Sequence, residues 1–244
     1  MNLDIVQVIG CAHNYKVSKA ARHKLSKDRF DHSSHKSDPF SYFKKVEKPE
    51  DIVHNNETLI LRKKPETNEV IDHWYEPELA IVLGEKHRIC AYTLANDLSA
   101  TGIEFKEIEG YDPTHFGKCW QGSCSLGPRF LEPELVDDNN LEINLTIERN
   151  GRVIYRHGYN TASRCWPFSQ LPHMVVDCYL HLKHNGKLRQ SKQILVDHEF
   201  LPEGTVILTG TGLIVPRRCF AMEGDIATVE CPPIGKLINP VKDV

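Results

Sequence analysis

The chain has 244 residues, 40% hydrophobic, 26% charged and 8% aromatic, with thirty Lys and Arg against thirty-three Asp and Glu for a net charge of −3. At this length a chain buries roughly 70–75% of its unfolded surface, enough for one large domain. The charge balance excludes a basic nucleic-acid sheath and an acidic disordered tail, and no apolar run approaches the ~20 residues that span a bilayer.

In chain order, Ile5 to Ile9 reads as an apolar strand running into the turn Gly10 to Tyr15. Without a basic segment ahead of it, this start is expected to be a strand and not a signal peptide. From Lys16 to Lys36 basic residues and histidines dominate and no apolar stripe runs through them. Two readings stand side by side for that stretch, a solvated helix followed by a loop, or a mobile lid. From Pro39 onward the pattern becomes short strands, at Glu57 to Leu61, Leu79 to Leu83, Ile89 to Asn96 and Leu141 to Ile147. Asn150-Gly151 is a strong hairpin signal, with Val153 to Tyr155 as partner strand. Thr205 to Leu208, Ile226 to Val229 and Lys236 to Ile238 complete the strands, and helical spacing is convincing only from Phe168 to Leu182. The expected class is a β-rich α+β fold with few helices. Eight cysteines without a Cys-x-x-Cys pair point to a reducing compartment, the cytoplasm, with the mitochondrion left open.

The stretch with the most chemistry is Trp74 to Leu83. Residues two apart on a strand share a face, so Glu76 and Glu78 project side by side at the entrance of an apolar strand. Two carboxylates about 4 Å apart repel by roughly 4 kcal/mol at an effective dielectric near 20, a cost relieved by a proton or a cation between them. Asp97 ends the next apolar strand, and a short turn between the two strands would bring it beside the pair. Three oxygen donors without thiolate or imidazole suit a hard cation, Mg²⁺ first, with Mn²⁺ or Ca²⁺ behind it. The plain alternative is a solvated strand start at Glu76 and Glu78 with Asp97 capping a turn.

Four ordered segments shift that balance: Tyr75 to Ala80, Tyr92 to Ala100, Gly117-Lys118 leading to Ser123 to Pro128, and Pro202 to Gly212 followed by Glu223-Gly224-Asp225. Together they resemble the fumarylacetoacetate hydrolase (FAH) superfamily, nearest the branch with 2-keto-3-deoxy sugar-acid dehydratases. The resemblance implies FAH-like rolled mixed β-sheets forming one catalytic domain over 1–244, with 16–40 as lid segment. It implies Glu76, Glu78 and Asp97 as metal ligands and Lys118 as the catalytic lysine that supports charge on substrate oxygens. Thr211 is implied as the substrate-carboxylate contact, Lys44 as a basic residue at the pocket edge, and Asn14-Tyr15 as the start of the lid, with Tyr15 facing substrate.

Departures accompany the likeness. The family's lid His-x-x-Glu dyad, which activates water, corresponds here to Ser18 and Ala21, and its Ser-Ala-Arg-Asp becomes Ser99-Ala100-Thr101-Gly102. His13, His23, His32 and His35 are candidates to replace the missing base, although each reads more simply as exposed. His73 and His115 read as supporting or surface residues, and Cys119 and Cys124 as buried inert thiols. The expected function is a Mg²⁺-dependent enzyme on a small 2-oxo or β-diketo acid, working through an enolate the metal stabilises. Dehydratase or other lyase chemistry ranks above an acylpyruvate-type C–C hydrolase because the dyad is absent. A non-catalytic keto-acid-binding descendant is the third reading. The expected partners are the small-molecule substrate and a second copy of the chain in a homodimer, with no nucleic acid and no membrane.

Overall fold

Strand-forming residues dominate the chain, and which strands alternate and which do not follows from how many of their faces are covered. The computed structural model describes residues 4–12, 14–15, 40–100 and 112–244. The expected lid segment therefore lies outside the described residues except for Phe40. In order the elements are β1 (Gln7–Ala12), β2 (Ser41–Lys44), β3 (Leu59–Leu61), β4 (His73–Trp74), β5 (Pro77–Leu83), β6 (Ile89–Asp97) and β7 (Ser99–Ala100). They continue with α1 (Pro113–Lys118), β8 (Cys124–Leu131), β9 (Glu142–Arg149), β10 (Arg152–Asn160), α2 (Leu171–His184), β11 (Thr205–Leu208), β12 (Ile226–Cys231) and β13 (Gly235–Asp243).

A six-stranded sheet runs β2-β1-β11-β5-β6-β8, a five-stranded sheet runs β10-β9-β12-β13-β3, and β4 pairs with β7. The β1–β11 and β13–β3 pairs are parallel and the rest antiparallel, so both large sheets are mixed. With two α-helices among the described residues, the fold is the β-rich, few-helix arrangement expected.

The sheets pack through large side chains. Ile9, Leu79, Ile81 and Leu94 of the first meet Ile143, Leu145, Ile147, Val229 and Leu237 of the second in one buried cluster. The opposite face of the six-stranded sheet buries a smaller set, Val8, Ala80, Val82, Ala91, Ala95, Val206 and Leu208, beneath Val46 and Ile52. Because both its faces are covered, β5 is buried from end to end and reads as an unbroken apolar run from Leu79 to Leu83. β9 has one covered face and alternates, with Ile143, Leu145 and Ile147 inward. Each such Leu or Ile contributes about 1.5–3 kcal/mol on burial.

The hairpin at Asn150-Gly151 forms as its sequence demands. Both residues are left-handed, with φ of 52° and 71°, and Arg149 faces Arg152 across the turn. Elsewhere pairing moves the boundaries. β1 starts at Gln7, opposite Thr205 of β11, rather than at Ile5. β10 extends to Asn160 along β9, and β13 to Asp243 because its far end carries β3. The helix expected from Phe168 begins with a 3-10 turn, Phe168–Gln170, before α2. β8 was not expected because Gly127-Pro128 reads as a breaker. It stands at the edge of its sheet, where a proline costs no ladder hydrogen bond.

One end of the six-stranded sheet gathers the start of β5 and the ends of β1, β6 and β11. Parallel β1 and β11 finish together, and antiparallel β5 begins beside them.

Candidate metal centre

The β5–β6 pairing assembles the acidic group. Pro77 faces Asn96, and the Asp97 N–H donates to the Glu76 carbonyl at 2.9 Å, so the last residue of β6 falls opposite the residue before β5. Glu78, two residues along, lies on the same face as Glu76. Carboxylate oxygens of Glu76, Glu78 and Asp97 lie within 4.8 Å of one another, and all three residues are buried.

Two lysines enter from other elements. α1 carries Lys118 at its last position. Its N-cap Asp112 accepts from the N–H groups of Thr114 and His115 at 3.1 and 3.3 Å, and its second carboxylate oxygen accepts from Ser191 N–H at 2.8 Å. The Lys118 ammonium contacts Glu76 and Ser99 and lies 3.3 Å from Asp97 Oδ2, while the Ser99 hydroxyl donates to Glu76 at 2.6 Å. Lys45, just past β2, pairs with Asp97 Oδ1 at 2.5 Å and donates to the carbonyls of Leu98 and Lys118 at 2.9 and 2.8 Å. Two ammonium groups thus face three carboxylates, so with all three ionised one negative charge stays uncompensated until a cation binds. Burial, then the charges of Asp97 and Glu76, hold the Glu78 carboxyl well above the usual carboxylate range, against the opposing pull of Lys118.

Glu78 also fixes the third side of the group. Its Oε2 accepts from Gly210 N–H at 2.6 Å. Gly210 is left-handed, with φ of 86°, and a Cβ there would stand 3.1 Å from the Cys11 carbonyl. The turn Thr209 to Gly212 is therefore threaded between β1 and β5, and Thr211 is buried on it with its hydroxyl accepting from Leu213 N–H at 3.2 Å. Tyr15 is buried beside Tyr159, edge to face at 4.9 Å, and Tyr159 donates to the Pro77 carbonyl at 3.0 Å. Asn14 anchors this corner, donating to the Thr209 carbonyl at 3.1 Å and accepting from Trp166 N–H at 3.0 Å.

The structure thus brings Glu76, Glu78, Asp97 and Lys118 together and sets the Thr211 turn against Glu78. It does not bring Lys44 in, because that ammonium pairs with Glu47 at 2.5 Å instead. The basic residue at the carboxylates is Lys45. Phe43 and Lys45 lie two apart, and the Phe43 ring lies 5.0 Å from the Lys118 ammonium, so strand parity selects Lys45. That signal was not readable without β2. Ser99 was missed as well, since a lone serine between Leu98 and Ala100 carries no pattern. Ser18, Ala21, Thr101, Gly102, His13, His23, His32 and His35 lie outside the described residues. His73 is fully buried, its Nε2 accepting from Arg62 N–H at 2.9 Å, a supporting role in the fold.

The donor set fits a hard divalent cation: three carboxylates, all oxygen, converging in a buried position with no softer ligand among them.

Comparison with known proteins agrees. "Probable 2-keto-3-deoxyxylonate dehydratase" of Haloferax volcanii is 35% identical over 172 residues, 69% of this chain and 50% of that protein. "2-dehydro-3-deoxy-D-arabinonate dehydratase" of Saccharolobus solfataricus is 30% identical over 170 residues, 68% of this chain and 49% of that protein. The chain thus spans about half the length of these curated relatives. A solved 2-keto-3-deoxy-D-arabinonate dehydratase, complexed with magnesium and 2,5-dioxopentanoate, superposes with a TM-score of 0.71 at 25% identity, covering 99% of this chain and 74% of that one. A fumarylpyruvate hydrolase from Pseudomonas aeruginosa, in complex with Mn²⁺ and pyruvate, shares the fold at 17% identity, with a TM-score of 0.65 over all of this chain and 92% of that one. Residues 7–242 match the family model "Fumarylacetoacetate (FAA) hydrolase C-terminal", and the chain belongs to that family.

Proposed function

We propose that this protein is a Mg²⁺-dependent enzyme that converts a small 2-oxo acid through an enolate, with dehydration of a 2-keto-3-deoxy sugar acid as the favoured reaction. The observation that carries the reading is the convergence of Glu76, Glu78 and Asp97 beside Lys118. A divalent cation held by those carboxylates would supply Lewis-acid stabilisation of negative charge on a chelating keto acid. Lys118, held between Glu76, Asp97 and Ser99, presents a fixed ammonium to a substrate oxygen as charge builds there. Thr211, on the turn anchored by Gly210 and Glu78, holds the substrate carboxylate. Tyr15 and Tyr159 form a buried wall that keeps water from the reacting face.

Dehydration is favoured because the two curated relatives described above are named dehydratases and because Ser18 and Ala21 stand where a water-activating dyad would be needed for C–C hydrolysis. The reading takes 1–244 as one catalytic domain with 16–40 as lid, working as a homodimer in the cytoplasm. The eight cysteines are scattered without a Cys-x-x-Cys pair, which supports a reducing compartment, and among the described residues no helix is long and apolar enough to cross a membrane.

The test is oxalate binding by calorimetry with and without Mg²⁺, followed by turnover on a panel of 2-oxo acids that includes 2-keto-3-deoxy sugar acids. Oxalate should bind only with the metal, Glu78→Gln should abolish that binding, and water should be lost from a 3-deoxy acid. Oxalate binding that ignores the metal would overturn the site. Metal-dependent binding without turnover of any acid would make the protein a keto-acid sensor.

A further inference from the structure

Close to Lys118 and Lys45 in the chain lies a second group of ligating side chains that the proposed reaction does not use. His115 and Cys119 are one helical turn apart, with Cys119 N–H donating to the His115 carbonyl at 2.8 Å, so their side chains share a face of α1 and its C-cap. Glu47 reaches them from the segment after β2. One ligand atom from each of Glu47, His115 and Cys119 lies within 4.8 Å of the other two. We infer that Glu47, His115 and Cys119 form a second metal site, for a borderline-soft divalent cation of the zinc type, distinct from the hard-cation site at the carboxylates.

The donor chemistry separates the two sites. An imidazole, a thiol and one carboxylate favour Zn²⁺ or Co²⁺ over Mg²⁺, which the all-oxygen set favours instead. Three protein ligands leave a fourth position for water. An imidazole ligates through a ring nitrogen that carries no proton, and His115 has two ring nitrogens in different surroundings. Its Nδ1 is buried with no hydrogen-bond partner among the described residues, while Nε2 meets Glu47 Oε1 at 2.7 Å and Gln190 Nε2 at 3.0 Å. Two ligand atoms on a tetrahedral zinc stand roughly 3.3–3.8 Å apart. Closing around an ion therefore needs movements of about 1 Å, and Glu47, with its side chain 47% exposed, makes them by giving up its 2.5 Å pair with Lys44. Burial first, and the Glu47 charge second, push the Cys119 thiol up to about 12, so it is protonated until a cation arrives. Binding forms one metal–sulfur bond and releases the thiol proton to solvent. All three ligands stand near the carboxylate site in sequence: Glu47 two residues past Lys45, His115 three before Lys118 and Cys119 one past it. A cation here would tie together the two segments that present those ammonium groups.

The experiment uses the full chain with excess Mg²⁺ to occupy the carboxylates, Zn²⁺ titrated against a chromophoric chelator, and Co²⁺ as the spectroscopic probe. One Zn²⁺ should bind, and the Co²⁺ form should show thiolate-to-cobalt charge-transfer absorption. Cys119→Ser should lose that absorption and at least about tenfold in Zn²⁺ affinity. Glu78→Gln, which removes the hard-cation site, should keep both. Unchanged affinity in Cys119→Ser, a Co²⁺ spectrum without the sulfur band, or loss of Zn²⁺ binding in Glu78→Gln would each overturn the inference. Should Cys119→Ser fail to fold by circular dichroism, Glu47→Gln at its half-exposed position decides. It should weaken Zn²⁺ at least about tenfold with the melting temperature unchanged, and undiminished affinity would sink the site.

Discussion

Lys45 and Asp97 meet at 2.5 Å with side chains 0% and 1% exposed, so the carboxylate ending β6 is neutralised by a lysine from the opposite edge of the sheet. The same ammonium caps the carbonyls of Leu98 and Lys118. One side chain therefore couples a proposed metal ligand to the backbone of the proposed catalytic lysine.

Removing that cation leaves a buried carboxylate uncompensated. Lys45→Met is expected to lower stability by about 3–5 kcal/mol, read from urea unfolding without divalent ions. A cation bound at Asp97 supplies the missing charge, so saturating Mg²⁺ should narrow the gap to the parent protein. A gap that Mg²⁺ leaves unchanged would place Lys45 outside the electrostatics of the site.

Glu78 presents the converse case. Its ionised form is disfavoured by burial and by two neighbouring acids, and a glutamine keeps a carbonyl for Gly210 N–H. Glu78→Gln should raise metal-free stability by on the order of 1 kcal/mol and remove the stabilisation that Mg²⁺ brings. Thermal melts with and without the metal separate the two effects.

Gly210 carries the turn against Glu78 at a φ of 86°. Gly210→Ala places a Cβ 3.1 Å from the Cys11 carbonyl and 3.5 Å from Asn14 Cβ. The expected cost is about 1–3 kcal/mol, and the shift of Thr211 should raise KM for the keto acid more than it lowers kcat. Kinetics on whichever acid proves to be turned over would show the split.

His73 makes stability depend on pH. Burial lowers its pKa to about 4, from an ordinary value near 6.5, because the imidazolium cannot be solvated there. The unfolded chain binds the proton first, so the contribution is fully present above about pH 6.5 and drains away as pH falls toward 4. The loss attributable to this residue is up to about 3 kcal/mol. His73→Gln keeps an acceptor for Arg62 N–H and should flatten the urea midpoint between pH 7 and pH 4.5, by the difference from the parent protein.

Much of the carboxylate site was legible before any coordinates. Glu76 and Glu78 share a face because strands repeat every two residues, and a single short turn returns Asp97 to them. Lys118 and Thr211 came from motif order, and most strands came from local alternation or apolar runs. What local pattern could not supply was parity and pairing across the fold. β2 is four residues long, too short to announce which of Lys44 and Lys45 points inward, and its pairing with β1 settles the choice. β8 hides behind Gly127-Pro128 because a proline inside a strand fits best at an edge, and an edge is a property of the whole sheet. Gly210 bonding Glu78, and Glu47 meeting His115 and Cys119, join segments far apart in the chain. Sequence by itself determined which side chains repeat on a face, since that depends on neighbours along the backbone. The tertiary structure decided which faces meet, since burial and charge compensation act between residues that only folding brings together.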